Sequence, residues 1–202
     1  MNIFDEIKNK KKYNPNANHA WFKRNVTNAF KTLGTQAFLG MNQTGENAWQ
    51  TTRPELGRVT AFGYFPKFHE TLPVYDKFPV ILPFHMEGDH MLGLNLHYLS
   101  FEFRLLLLDK LIQIDSKGNR PNMTDTNFDK NTKLKLSWQL LKAVSQHGEA
   151  QYAVKKYLFG HVKTNFVNIA IENWPIVACL PLARFEKMTE AQVHRKFRSR
   201  NK

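Results

Sequence analysis

His85, His90 and His97, with Asp89 beside them, are the residues here whose types best suit a metal ion, because imidazole and carboxylate are ordinary ligands. Their spacing argues against it. His85 and His97 fall in two strand-like runs, His90 falls in the loop between them, and there is no His-x-His or His-x-x-x-His pair. A Mg²⁺ nuclease needs clustered carboxylates beside a base or nucleophile. Asp76, Glu87, Asp89, Glu102 and Asp109 are available, but Asp76-Lys77 reads as a salt-bridged turn and Asp109-Lys110 as part of a helix. Cys179 is flanked by apolar residues in Ile176-Val-Ala-Cys-Leu180, which suits a small buried side chain rather than a nucleophile. Gly-x-Ser-x-Gly, Gly-x-x-x-x-Gly-Lys-Ser/Thr and Gly-x-Gly-x-x-Gly are all missing from the sequence. The expectation is a protein with no catalytic residues, no metal and no cofactor.

Cations interleaved with aromatics carry more information. Lys10, Lys11 and Lys12 precede Tyr13, and Lys23 and Arg24 follow Trp21 and Phe22. Lys155 and Lys156 precede Tyr157 in a segment read as helical, with His161 and Lys163 beyond it. The C-terminal run Arg195-Lys-Phe-Arg-Ser-Arg-Asn-Lys202 contains Arg195, Lys196, Arg198 and Arg200 around the single apolar residue Phe197. Cations engage phosphates, and an exposed ring can stack on an unpaired base. Trp21 and Tyr157 at helical spacing also suit a core, and Lys155 and Lys156 also suit a solvated helix face.

The distribution of charge sharpens this reading. The chain of 202 residues carries a net +12, and residues 1–31 and 184–202 each hold seven basic and two acidic side chains, leaving +2 for the rest. Basic ends on a nearly neutral body suit a polyanion, either nucleic acid or an acidic protein surface.

The elements that position these residues follow from periodicity and turn chemistry. Leu72-Pro-Val-Tyr-Asp-Lys-Phe-Pro-Val-Ile-Leu-Pro83 and Gly93-Leu-Asn-Leu-His-Tyr-Leu99 are apolar and β-prone, and Glu87-Gly-Asp-His90 between them reads as a hairpin loop. Further strands are expected at Arg58–Phe65, Phe166–Ile171 and Ile176–Leu180, with Pro66–Thr71 as a polar connection. Gly63 and Gly93 suit the bends of a small barrel. Helices are expected over 19–33, from Ser100, over 132–147, over 149–161, and over 189–200 with Thr189 as cap. The last has only Val193 and Phe197 to anchor it, so it is expected to be stable mainly on a partner. Residues 35–54 and 115–128 read as loops.

The fold class is α+β: a small twisted β-barrel of Src-homology type, or an open sheet, with several packed helices and basic terminal arms. Apolar residues at 42% and sixteen phenylalanines are enough for a real core. The division expected is a basic arm, helix and linker over 1–56, a core over 57–184, and a basic tail over 185–202. One cysteine allows no internal disulfide, and neither a membrane span nor a secretory leader is expected.

Leu72–Pro79, Gly93–Leu99 and Arg104-Leu-Leu-Leu-Leu-Asp-Lys-Leu111 also resemble a family, the small virion-associated proteins of T-even-like tailed bacteriophages labelled DNA end protectors. The similarity runs from about Gly57 to Arg184 and continues through Leu134–Trp138 and Tyr157–Phe166. It implies a non-enzymatic virion protein, in the host cytoplasm during assembly, that binds the end of packaged double-stranded DNA at the head–tail junction and shields it from host exonuclease. Portal, neck or tail proteins are the implied protein partners. The alternative is a structural adaptor of neck, tail or baseplate whose basic arms dock on other virion proteins. A metal-dependent nuclease is the third and weakest reading.

Overall fold

The structure, a computed structural model, describes residues 50–117, 148–169 and 173–198. Its centre is the hairpin of β4 (Val80–Glu87) and β5 (His90–Asn95). Gly88 at the first position of the two-residue loop has φ +52°, the left-handed conformation that glycine takes without steric penalty. Pro83 lacks an amide donor, and the ladder shifts register between Pro83 and His85, so the proline is tolerated at a bulge.

Around this hairpin, six strands of the described residues form an antiparallel sheet in the order β1-β7-β2-β4-β5-β6. The others are β1 (Gln50–Thr51), β2 (Thr60–Ala61), β6 (Val154–Leu158) and β7 (Phe166–Asn168). A second, two-stranded antiparallel sheet joins β3 (Tyr75–Asp76) to β8 (Phe185–Glu186). The helices are α1 (Phe101–Lys117), α2 (Gly148–Ala153), α3 (Trp174–Cys179) and α4 (Glu190–Arg198). The architecture is therefore α+β, as expected, and the choice between barrel and sheet falls to the open sheet.

Both sheet faces are apolar. Leu82 and Leu94 on one face join Leu105, Leu108 and Leu111 of α1, Ile176 and Val177 of α3, and Val193 of α4 in the main core. On the other, Phe62, Tyr64, Ile81, Met91, Tyr157 and Phe166 form a smaller cluster of edge-to-face rings, Phe62 and Tyr157 having centroids 5.3 Å apart. Gly93 serves close packing: a Cβ there would lie 2.7 Å from Ile81 Cδ1.

Several expectations change. Residues 149–161 are not one helix, because α2 ends at Ala153 and Val154–Leu158 pairs with Leu94–His90. The alternation of Lys155 and Tyr157 against Val154, Lys156 and Leu158 fits a strand as well as the apolar spacing fitted a helix, and the hydrogen-bonding edge of β5 decides between them. Ile176–Leu180 is not a strand. It lies in helix α3 and the turn after it, with Pro175 in the first turn, where a missing amide donor does no harm. A short apolar run buried all round does not distinguish the two states. The linker read over 35–54 contributes β1 at its end, and α1 extends through 115–117 of the expected polar loop.

Helix α4 also departs from expectation. Thr189 and Gln192 form a capping box: Thr189 Oγ1 accepts from the Gln192 amide at 3.3 Å, and Gln192 Oε1 accepts from the Thr189 amide at 2.8 Å. Val193 is fully buried and the Phe197 ring stacks on Tyr152 with centroids 4.9 Å apart. These two side chains contribute roughly 1.5–3 kcal/mol each by burial, so this protein's own body anchors the helix. The expected helices over 19–33 and 132–147, and residues 35–49 and 118–128 of the expected loops, lie outside the described residues.

Candidate nucleic-acid interface

Of the cations singled out above, Lys10, Lys11, Lys12, Lys23, Arg24 and Arg200 lie outside the described residues. Arg195 is exposed and Lys196 half-buried on α4, which also carries Arg198. Lys155 and Lys156, expected on one helix, are neighbours on β6 and therefore point to opposite faces of the sheet. Lys156 is exposed, near Asp89 at the hairpin tip, and its backbone pairs with that of Leu92. The Lys155 ammonium instead lies 4.3 Å from the Tyr98 ring centre and 5.7 Å from that of Phe197. Burial pushes its pKa down to about 8.

Lys163 is exposed at the end of a short ribbon. Tyr64 bridges Val162, the Phe65 amide donates to the His161 carbonyl at 3.1 Å, and the Lys163 amide donates to the Gly63 carbonyl at 2.8 Å. This register opposes Phe65 to His161 and Gly63 to Lys163 on the outer face, with Tyr64 inward. Gly63 is needed because Thr164 folds back to accept its amide at 2.8 Å, and a Cβ would meet Thr164 Cγ2 at 2.9 Å.

Next to the ribbon, Pro66–Thr71 was expected to be only a polar connection. It is a built turn. The Phe68 carbonyl accepts from the amides of Thr71 at 3.1 Å and Leu72 at 3.0 Å, and Pro66 accepts from His69 at 3.2 Å. Lys187, at φ 69°, donates its ammonium to the Glu70 and Leu72 carbonyls at 2.6 and 2.7 Å. This frame leaves Phe68 63% and Phe65 38% exposed. Lys67 sits 5.5 Å from the Phe68 ring centre, and the His69 ring lies 4.3 Å from that of Phe65. The result is an aromatic ledge edged by Lys67, His69, His161 and Lys163, with Glu70 in the same turn 3.9 Å from His69. Lys67, Lys156, Lys163 and Arg195 make no ion pair among the described residues. The sequence signal for the ledge was Phe65-Pro-Lys-Phe68, two rings around a lysine in a turn.

Asp76 and His97, by contrast, are enclosed. Asp76 does not pair with Lys77, which reaches Glu186 at 2.6 Å. The Asp76 carboxylate accepts from His97 Nδ1 at 2.6 Å, from Asn95 at 3.3 Å and from the amides of Phe78 and Arg184 at 3.1 Å. Burial alone would raise this carboxyl, but the His97 ring and the amide donors outweigh it and hold the pKa below its ordinary value. Both side chains are sealed, at 1% and 2% exposure, so the pair fastens β3 and β8 to the body and cannot touch a macromolecule. His85 is exposed beside Glu87 at 3.4 Å, and His90 pairs with Asp89 at 3.1 Å. Among the described residues no three of His, Cys, Asp and Glu converge as metal ligands, and no helix is long and apolar enough to cross a membrane.

Fold and surface together define an α+β protein of antiparallel sheets that presents unpaired cations beside exposed aromatic rings. Over residues 2–200 the chain matches the family model described as phage T4 terminal DNA protecting protein, and it belongs to that family. Nothing among the curated proteins or the solved structures matches it.

Proposed function

We propose that this protein binds the end of packaged double-stranded DNA and shields it from host exonuclease without chemical turnover. It acts in the virion, takes its place during assembly in the host cytoplasm, and is held near the DNA end by portal, neck or tail proteins. The observation that carries this reading is the family match across residues 2–200. The exposed, unpaired Lys67, Lys156, Lys163 and Arg195, together with the excess of basic residues in both ends of the chain, support it.

Cationic contacts make a specific forecast. Each neutralised phosphate lowers log K by about 0.9 per decade of salt, so a handful of contacts gives a steep salt dependence. The test is binding of the full chain to a linear duplex in competition with closed circular DNA, followed by exonuclease digestion of the bound linear DNA. Preference for the linear form and slowed digestion are expected. Equal competition by closed circles would remove end protection and favour the adaptor reading, in which the cations dock on acidic virion proteins.

A further inference from the structure

Cations by themselves do not distinguish an end from the middle of a duplex, because the phosphate backbone is alike in both. A base-pair face is different: within a duplex every face is covered by its neighbour, and only the terminal pair leaves one open. An exposed ring carried on an ordered turn beside cations is complementary to that one location.

We infer that the ledge of Phe65 and Phe68 is the end-reading element, with Phe68 stacking on the terminal base pair of a blunt duplex and Lys67 and Lys163 engaging the flanking phosphates. This rests on the DNA-end reading above and gives it a contact surface. Among the described phenylalanines only these two are exposed, Phe68 the more so at 63%. The rings are not there by lack of order. The turn beneath Phe68 is closed by the Thr71 and Leu72 amides and held by Lys187 on the Glu70 and Leu72 carbonyls, so the backbone that carries the ring is already ordered before a base settles on it. Phe65 is set by the ribbon, where His161 Nδ1 donates to its carbonyl at 3.1 Å, and its ring meets Tyr75 edge-on at 6.3 Å. The charges are also placed for DNA: Lys67 and Lys163 are exposed without ion pairs among the described residues, and Glu70, the acid of the turn, lies 3.9 Å from His69. An acidic protein partner would be drawn by the same lysines and could cover the ring with an aromatic side chain of its own, but it would not distinguish an open duplex end from a closed one.

The experiment compares the full chain with Phe68→Ala and Phe68→Trp. Each is titrated against a blunt duplex and against the same duplex closed at both ends by hairpin loops. The unmodified protein should prefer the blunt form. Phe68→Ala should bind the blunt duplex about tenfold more weakly, the size of one base–aromatic stack, with unchanged affinity for the closed one. Phe68→Trp should keep the preference. Thermal melts of both variants report folding, which an exposed position should leave intact. An undiminished end preference in Phe68→Ala overturns the assignment while leaving the DNA-end reading standing. An equal loss on both duplexes overturns it too, as does a defect confined to particle incorporation, which would give the ledge to a protein partner. No preference in the unmodified protein removes the DNA-end reading and this inference with it.

Discussion

The Lys155 ammonium lies 4.3 Å above the centre of the Tyr98 ring, with the neighbouring Phe197 ring centre 5.7 Å away. A cation in this setting gains attraction from the ring face but loses hydration, and burial lowers its pKa to about 8. The C-terminal helix thus closes over a strained charge.

Stability should therefore rise with pH in a definite window. The unfolded lysine titrates near its ordinary value and the folded one near 8, so between these the unfolded chain binds more protons and folding becomes more favourable as pH increases. The gain is at most about 3 kcal/mol, reduced by the attraction of the rings for the charged form. Urea midpoints of the unmodified protein and Lys155→Met, measured from pH 7 to 10.5, should converge as pH rises, with the variant at least as stable at pH 7. A constant difference across that range would count against the assignment.

Phe197→Ala should cost roughly 2–4 kcal/mol, the range for truncating a buried aromatic. It should also return Lys155 toward its ordinary pKa by readmitting water. Titration of the lysine side-chain resonances reads the second effect independently of the first.

Replacing Asp76 by Asn should destabilise by about 3 kcal/mol or more, because it leaves His97 without its carboxylate and places an amide donor among donors. With its folded pKa below the ordinary value, the Asp76 carboxylate contributes stability that is complete above the unfolded pKa. That contribution is lost as pH falls through the lower folded value. Thermal melts between pH 2 and 6 should show a shallower acid slope for Asp76→Asn than for the unmodified protein.

Arg104 and Glu190 should behave unequally although they touch at 3.4 Å. The buried guanidinium also donates to the Leu99 and Ala178 carbonyls at 3.2 and 3.3 Å, so Arg104→Ala opens the junction of α1, α3 and α4 and should cost about 3 kcal/mol. Glu190 is half exposed. The hydrogen bond from His194, with Arg104 nearby, lowers its pKa to about 2, giving stability lost as pH falls from about 4.5 to that value. Solvent screening limits it to about 1 kcal/mol or less, so Glu190→Gln should be mild by denaturant titration at pH 7.

Gly93→Ala should cost about 1–3 kcal/mol by overpacking, since the added Cβ meets the side chain of Ile81, itself fully buried and unable to swing aside. Gly88→Ala should be destabilising for another reason, the left-handed φ of +52° at a position with no neighbour within 4 Å. A comparison of their denaturation midpoints with that of Ala substituted at exposed Glu87 separates packing from backbone strain.

Local chemistry makes part of this protein readable in the sequence itself. The hairpin at Glu87–His90, the helix after Ser100, the cap at Thr189 and the buried Cys179 follow from turn residues, apolar spacing and capping preferences. Each of those acts within a few residues. The exposure of Phe65 and Phe68 is less readable: Phe65-Pro-Lys-Phe68 marks two rings around a lysine in a turn, but not that the turn leaves both rings uncovered.

Long-range pairing decided the rest. Val154–Leu158 became a strand because β5 offered an unfilled edge, and Ile176–Cys179 became a helix because the space beneath α1 admits one. Asp76 was separated from Lys77 and joined to His97, twenty-one positions away, and Lys155 was turned inward while Lys156 was left outside. Burial, ring contacts and the direction a side chain faces depend on which distant segments share a sheet or a core, and that free energy is written in no single stretch of residues.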